Sequence, residues 1–208
     1  LIYCLKKDDY DAFMAGGKQA DIDLKRNSSY LKFVKNLAFS DIWLHNIENR
    51  NSRTVLAYSW NLRSLPIYIQ QLEMESLGKQ PSKESDFKKT GQIIFGGYGP
   101  KAQHSYFQLL HQGTHQICAD IILCNKDKES LAYAQAITQS KLLSKGADDL
   151  KDYEKINADI PTNLFSINSK SSYELGYLLA TWEHRTFITA VMLKINPFDQ
   201  FGVNAGKI

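Results

Sequence analysis

A carboxylate, an imidazole and an amine stand in three recognisable settings along this chain. Glu75 lies within Gln70-Gln71-Leu72-Glu73-Met74-Glu75-Ser76-Leu77-Gly78-Lys79, and His104 within Ala102-Gln103-His104-Ser105-Tyr106-Phe107-Gln108-Leu109-Leu110-His111-Gln112-Gly113. Lys207 closes Phe198-Asp199-Gln200-Phe201-Gly202-Val203-Asn204-Ala205-Gly206-Lys207. A carboxylate buried in a cleft has its pKa raised by desolvation and becomes a competent proton acceptor.

Taken singly, each residue also has a plain structural reading. Glu75 near a helix end reads as a solvated acid, with polar Gln70, Gln71, Glu73 and Ser76 around it. His104 follows the Gly-rich turn Gly96-Gly97-Tyr98-Gly99 and is expected at a helix N-terminus, where backbone N–H groups favour anions or polar oxygens. Neither the dinucleotide fingerprint nor the Walker pattern is present in that turn. His111 and His115 have the i, i+4 spacing of a zinc pair, but Gly113 between them ends the helix and no zincin Glu accompanies them, so no metal site is assigned. His184 falls on an apolar stripe and reads as a core histidine with its nitrogens satisfied. Lys207 reads as a helix-end lysine that suits the dipole.

The elements that must position these residues follow from periodicity. Ser28-Ser29 offers a cap for a helix to about residue 46, with Tyr30, Phe33, Val34, Leu37 and Ala38 as its stripe. A strand is predicted over 53–59, and a helix over 62–77 with Pro66 as a kink or first turn. A surface loop follows over 80–90. Further strands are predicted over 92–95, 117–123 and 164–167, with helices over 103–113 and 128–143 between them. A last long helix over 173–194 carries Tyr173, Tyr177, Ala180, His184, Phe187, Ile188 and Val191 as its stripe. Strand and helix alternate, which predicts an α/β sandwich with a mainly parallel sheet flanked by helices.

Composition narrows the partners. Hydrophobic residues at 43% and charged residues at 23% are ordinary globular usage and set aside disordered or repetitive classes. A net charge of +3, with Lys and Arg scattered among 22 acids, argues against nucleic acid. No apolar run approaches a membrane span. Cys4, Cys118 and Cys124 are odd in number and lack Cys-x-x-Cys spacing, which favours reduced thiols and a cytoplasmic location. The chain starts at Leu1 and stops at Ile208 inside a helical pattern, so it is expected to be a piece of a longer protein, truncated at both ends.

The three settings, in this order, resemble the C-terminal portion of the phosphoglucose isomerase family. The match runs from Gln70 to Lys207, with weaker similarity from about Asp9. Phe198 to Lys207 is similar to the family's C-terminal signature, Glu75 stands at its base within Met-Glu-Ser, His104 at its Gln-His histidine, and Lys207 at its signature lysine. Gln71 and Gln200 match its sugar-lining glutamines. Asn204 departs from the usual Glu, and Gly97-Tyr98-Gly99-Pro100-Lys101-Ala102 from the commoner Glu-Pro-Gly-Thr-Asn-Gly.

The resemblance implies a sugar-isomerase (SIS-type) three-layer sandwich that interconverts glucose 6-phosphate and fructose 6-phosphate through a cis-enediol, with no metal or organic cofactor. Glu75 would shuttle the proton between carbons 2 and 1, and His104 and Lys207 would assist ring opening. It implies a homodimer with shared sites, the histidine reaching in from the partner. The family's phosphate-binding Ser/Thr cluster and active-site Arg would precede Leu1, so these 208 residues alone are expected to be inactive. A sugar-phosphate-binding regulatory module of the same fold is the alternative. An isomerase of that fold acting on another sugar phosphate, such as mannose 6-phosphate, is a third.

Overall fold

A computed structural model describes residues 6–207 and divides into two compact units. One comprises Asn49–Gln70 and Ile93–Ser169; the other comprises Leu1–Glu48, Gln71–Gln92 and Lys170–Ile208, within the described residues.

The first unit is built on four strands: β1 (Ser52–Ala57), β2 (Ile93–Tyr98), β3 (Ile117–Cys124) and β4 (Thr162–Ile167). They lie in the order β2-β1-β3-β4 and every pairing is parallel, with Val55 opposite both Gly96 and Asp120, and Ile121 opposite Leu164. All eight residues of β3 are buried, the mark of a strand covered on both faces, so its sequence is a near-continuous apolar run. Leu56, Tyr58, Phe107, Leu110, Ile121 and Leu143 form the core between the sheet and its helices. Asp120 interrupts the run at full burial, held 3.3 Å from Arg53 Nε and accepting 2.8 Å from Asn163 Nδ2. A charge in such a place needs its partner, because breaking a buried pair leaves one ion uncompensated. Cys118 and Cys124 lie buried in β3 as reduced thiols, and Cys4 is outside the described residues.

The helix expected over 103–113 is two pieces. α4 (Gly99–Ala102) begins directly after β2 with Pro100 in its first turn, and α5 (Phe107–Gln112) begins only after turn residues 103–106. Pro is at home where its missing N–H would be unpaired anyway. Gly99 is required there, since a Cβ would sit 2.3 Å from the Tyr58 ring. Gly113 stops α5, as expected, with its N–H on Leu109 O at 2.8 Å. α6 (Leu131–Lys145) starts at Ser130, whose hydroxyl accepts from Tyr133 N, and Gly146 with φ of 73° ends it.

The second unit is helical. α1 (Lys7–Arg26), α2 (Ser28–Ile42) with a following π-turn (Trp43–Ile47), and α7 (Ser172–Met192) pack together, and the irregular 80–90 segment and α8 (Phe201–Ala205) belong to the same unit. The cap of α2 is Asn27, one residue before Ser28: its Oδ1 accepts from Ser29 N at 3.1 Å and Tyr30 N at 3.2 Å. α1 carries Gly16-Gly17, which weakens its signal in the sequence, and the helix packing explains the first of them. A Cβ on Gly16 would meet Tyr173 O at 1.9 Å, and one on Gly176 would meet Phe13 O at 2.0 Å, so α1 and α7 touch backbone to backbone.

The expected stripe on α7 is only partly the buried one. Phe187 and Val191 are 44% and 57% exposed, whereas Leu178, Trp182, Arg185 and Thr189 are buried. Polar residues supply that face because they are bonded: Arg185 donates from Nε and Nη2 to Asp41 at 2.7 and 2.6 Å, and Trp182 Nε1 donates to Glu73 at 3.0 Å. His184 is the satisfied core histidine expected, with Tyr30 hydroxyl 3.1 Å from Nδ1 and Asp21 2.9 Å from Nε2. Among the described residues no helix is long and apolar enough to cross a membrane.

Candidate active site

α3 (Leu65–Leu77) delivers the first candidate group. Pro66 is the second residue of α3, in its first turn, where Pro acts as a start signal. Glu75 is in its last turn, half-buried, and Gln71 one turn earlier extends Nε2 to Glu75 Oε2 at 3.4 Å, the i, i+4 neighbour relation of a helix face. Glu73 points the other way. Its carboxylate is 4% exposed and takes the Trp182 indole N–H, which sets the rotation of this part of α3 and leaves Gln71 and Glu75 on the open side.

That open side borders a cleft of about 790 Å³ within the helical unit. Glu75 and Lys79 line it from α3 and its end, Lys194 from beyond α7, and Asp199, Gln200 and Phe201 from the approach to α8. Its volume lies in the range of small-molecule sites. Lys79 crosses to the other wall: its ammonium is 3.1 Å from Asp199 Oδ1 and also donates to the Asp199 carbonyl. Lys194 is turned to the 80–90 segment, donating to Glu84 O at 2.6 Å and lying 3.6 Å from Asp86. A carboxylate with an adjacent amide, in a cleft that a second amide also lines, has the groups to accept a proton from carbon and hold the hydroxyls of a polyol.

The sequence-derived residues divide between the units. Glu75 and Gln200 share the cleft, and Gln71 joins them through its bond to Glu75. Lys207, in the same unit, is exposed in the turn after α8, its N–H on Asn204 O at 3.1 Å, and is not among the residues lining the cleft. The helical pattern read through to it ends at Ala205, with Gly206 as C-cap. His104 belongs to the sheet unit and is exposed. It is not at a helix N-terminus: the chain turns helical at Gly99, and the His104 N–H is taken by Lys101 O at 3.2 Å, so the anion-binding expectation for its backbone fails.

Beside it, at the ends of β1 and β2, a second concavity of about 410 Å³ is bordered by Trp60, Arg63, Tyr98, Lys101 and Tyr106. Arg63 stacks 4.4 Å from the Trp60 ring centroid. Burial pushes the Tyr106 and Tyr58 hydroxyls up from their ordinary range, with Thr54 partly offsetting it at Tyr106. Both therefore stay protonated; Tyr58 donates to Gln139 Oε1, whereas the buried Tyr106 hydroxyl has no hydrogen-bond partner among the described residues.

Reasoning along the sequence missed the Lys79–Asp199 pair. Both residues lie inside motifs already singled out, but nothing local pairs two charges so far apart in the chain.

An all-parallel four-stranded sheet with flanking helices, and a helical unit that carries a carboxylate-bearing cleft, define an α/β sandwich protein. The family model for phosphoglucose isomerase matches residues 4–208, and the chain belongs to that family. It is 37% identical over 198 residues to glucose-6-phosphate isomerase 2 of Neisseria meningitidis serogroup B, covering 82% of this chain and 36% of that protein. It is 33% identical over 227 aligned positions to glucose-6-phosphate isomerase of Acinetobacter baumannii strain AYE, covering 96% of this chain and 41% of the relative. The crystal structure of a glucose-6-phosphate isomerase from Chlamydia trachomatis superposes with a TM-score of 0.84 at 26% identity, over 96% of this chain and 41% of that one. The chain thus spans about two fifths of the length of these relatives.

Proposed function

We propose that this chain carries part of the active site of an aldose–ketose isomerase that interconverts glucose 6-phosphate and fructose 6-phosphate. The observation that supports it most is the cleft lined by both Glu75, paired with Gln71, and Gln200. In this reading the Glu75 carboxylate removes the proton from carbon 2 of the open-chain aldose. The C–H electron pair forms the enediol double bond as the carbonyl oxygen at carbon 1 takes a proton. Glu75 then returns its proton to carbon 1 while the hydroxyl at carbon 2 gives up its own, leaving the ketose. No electron leaves the substrate, so no redox partner enters the balance.

Gln71 and Gln200 hold hydroxyls so that carbons 1 and 2 stay within reach of one carboxylate, a positioning role. His104 and Lys207 serve ring opening. As the resemblance implies, the reading assigns the His104 imidazole to a homodimer's shared site, supplied by the partner. The phosphate clamp and the arginine of the resemblance have no counterpart in the motifs of these residues, so the 208 residues by themselves are proposed to be inactive. A cytoplasmic, glycolytic setting follows from the reaction.

Glu75→Gln in the full-length gene product tests the reading. Turnover in both directions is expected to fall by about 10³-fold or more, while a sugar-phosphate inhibitor still binds. Unchanged turnover would remove Glu75 as the base. A wild-type gene product that binds the sugar phosphate but never isomerises it would instead mark a regulatory module.

A further inference from the structure

We infer that Lys79 is a positioning residue for this isomerase site: it clamps the segment carrying Gln200 to the end of α3 and so fixes Gln200 in the cleft that Glu75 also lines. The inference rests on the proposed role of the cleft. Lys79 lies just past the C-terminus of α3, four residues from Glu75, and its side chain is only 14% exposed. Its ammonium makes two bonds across the cleft, one to the Asp199 carboxylate at 3.1 Å and one to the Asp199 carbonyl. The second holds the main chain immediately before Gln200. The Lys79 backbone is tied in turn, its carbonyl accepting from Thr90 Oγ1 at 2.6 Å and its N–H reaching Leu77 O at 2.8 Å. The anchor is therefore fixed at both ends.

The segment it holds has few other restraints. From Phe198 to Lys207 most side chains are exposed, Phe198 and Phe201 by 78% and 76%, and α8 is only five residues long. A short exposed helix is marginal by itself. With its charge matched by Asp199, Lys79 is engaged inside the wall of the cleft and is not a spare cation awaiting a phosphate. Two variants separate the two bonds: Asp199→Asn removes the ion pair and keeps the carbonyl acceptor, whereas Lys79→Met removes both.

The test uses the full-length gene product, with steady-state kinetics and amide exchange over residues 198–207. Misplacement by about 1 Å costs on the order of 10²-fold, so Lys79→Met is expected to lower kcat by roughly 30- to 100-fold and to speed exchange in the segment. KM for the sugar phosphate should move by less than about threefold, because the phosphate is held elsewhere in the proposed reading. Asp199→Asn should lose only a few-fold in kcat, and Lys79→Arg should recover most of it, a rescue that a merely structural lysine would not show as a kcat effect. Wild-type kcat and wild-type exchange in Lys79→Met would overturn the inference, as would Asp199→Asn being the more damaging change. Should Lys79→Met fail to fold, Asp199→Asn and Lys79→Arg still decide: normal exchange with an unchanged kcat in both, or a Lys79→Arg enzyme as slow as one lacking its base, counts against the clamp. An inactive wild-type protein with fast exchange only in Lys79→Met would keep the clamp and defeat the isomerase reading.

Discussion

Asp41→Asn should be among the most damaging single-atom-scale changes in the helical unit. Asp41 accepts both a 2.7 Å and a 2.6 Å bond from Arg185, with side-chain exposures of 1% for the arginine and 9% for the aspartate. The guanidinium carbon is 5.4 Å from the Trp182 ring centroid, and Trp182 in turn donates to Glu73, so the pair belongs to a buried polar cluster that reaches α3 two residues before Glu75. Removing the negative charge leaves a buried cation facing a neutral amide. Breaking such a pair from one side costs about 3–5 kcal/mol, against the far smaller value of an exposed pair. At 208 residues a loss of that size corresponds to roughly 6–20 °C in Tm. The assay is urea unfolding, where the midpoint should fall with little change in slope. The double variant Asp41→Leu with Arg185→Met is the sharper arm. It removes both charges together and should recover to within about 2 kcal/mol of the parent, because an apolar replacement of a buried pair is often close to neutral. Single variants costing under about 1 kcal/mol, or a double variant no better than the sum of its singles, would refute the reasoning.

Two neighbouring glycines in α1 should respond with opposite signs. Gly17→Ala is expected to stabilise by about 0.5–1 kcal/mol through helix propensity, since the added Cβ meets only Gly176 O at 3.7 Å. Gly16→Ala should destabilise by at least about 2 kcal/mol, because its Cβ would lie 1.9 Å from Tyr173 O and force α1 from α7; the same unfolding assay reads both. His111 should make the sheet unit sensitive to mild acid. Burial lowers its pKa from 6.5, and Nδ1 is buried without a hydrogen bond, so the unfolded chain binds the proton more readily than the folded one. Stability is then full above the ordinary histidine range and declines as pH falls through 6.5 toward the lower folded value. His111→Gln should flatten that decline between pH 7.5 and about 5.5, and an unchanged slope would exclude His111 as its source.

Much of the architecture was legible because its signals are local. The apolar run at 117–123 is a strand buried on both faces, and the strand–helix alternation made the sheet parallel, as the four observed strands are. Gly113 and Pro66 acted as punctuation where they stood. α1 was not legible: Gly16-Gly17 is a weakness in an isolated helix and becomes an advantage only against α7, whose Gly176 receives it. The turn at 103–106 was hidden for a similar reason. A helical spacing of residues does not reveal that the chain must first pass over Tyr58 at Gly99.

The functional residues divide along the same line. Residue by residue the chain favours plain structural roles, and only the order of the motifs, through the family resemblance, proposes Glu75, His104 and Lys207 as a proton-moving set with Gln71 and Gln200 as their polar company. Which way each side chain faces depends on partners remote in the chain. Glu73 and Glu75 are two acids in one short motif, and the Trp182 indole, 109 residues on, draws the first into the interior and leaves the second beside a cleft. Lys79 meets Asp199 across 120 residues by the same kind of contact. Local propensity acts over a few residues, whereas desolvation and pairing of charge act through space, so chemistry can be named from the chain but its orientation comes from packing.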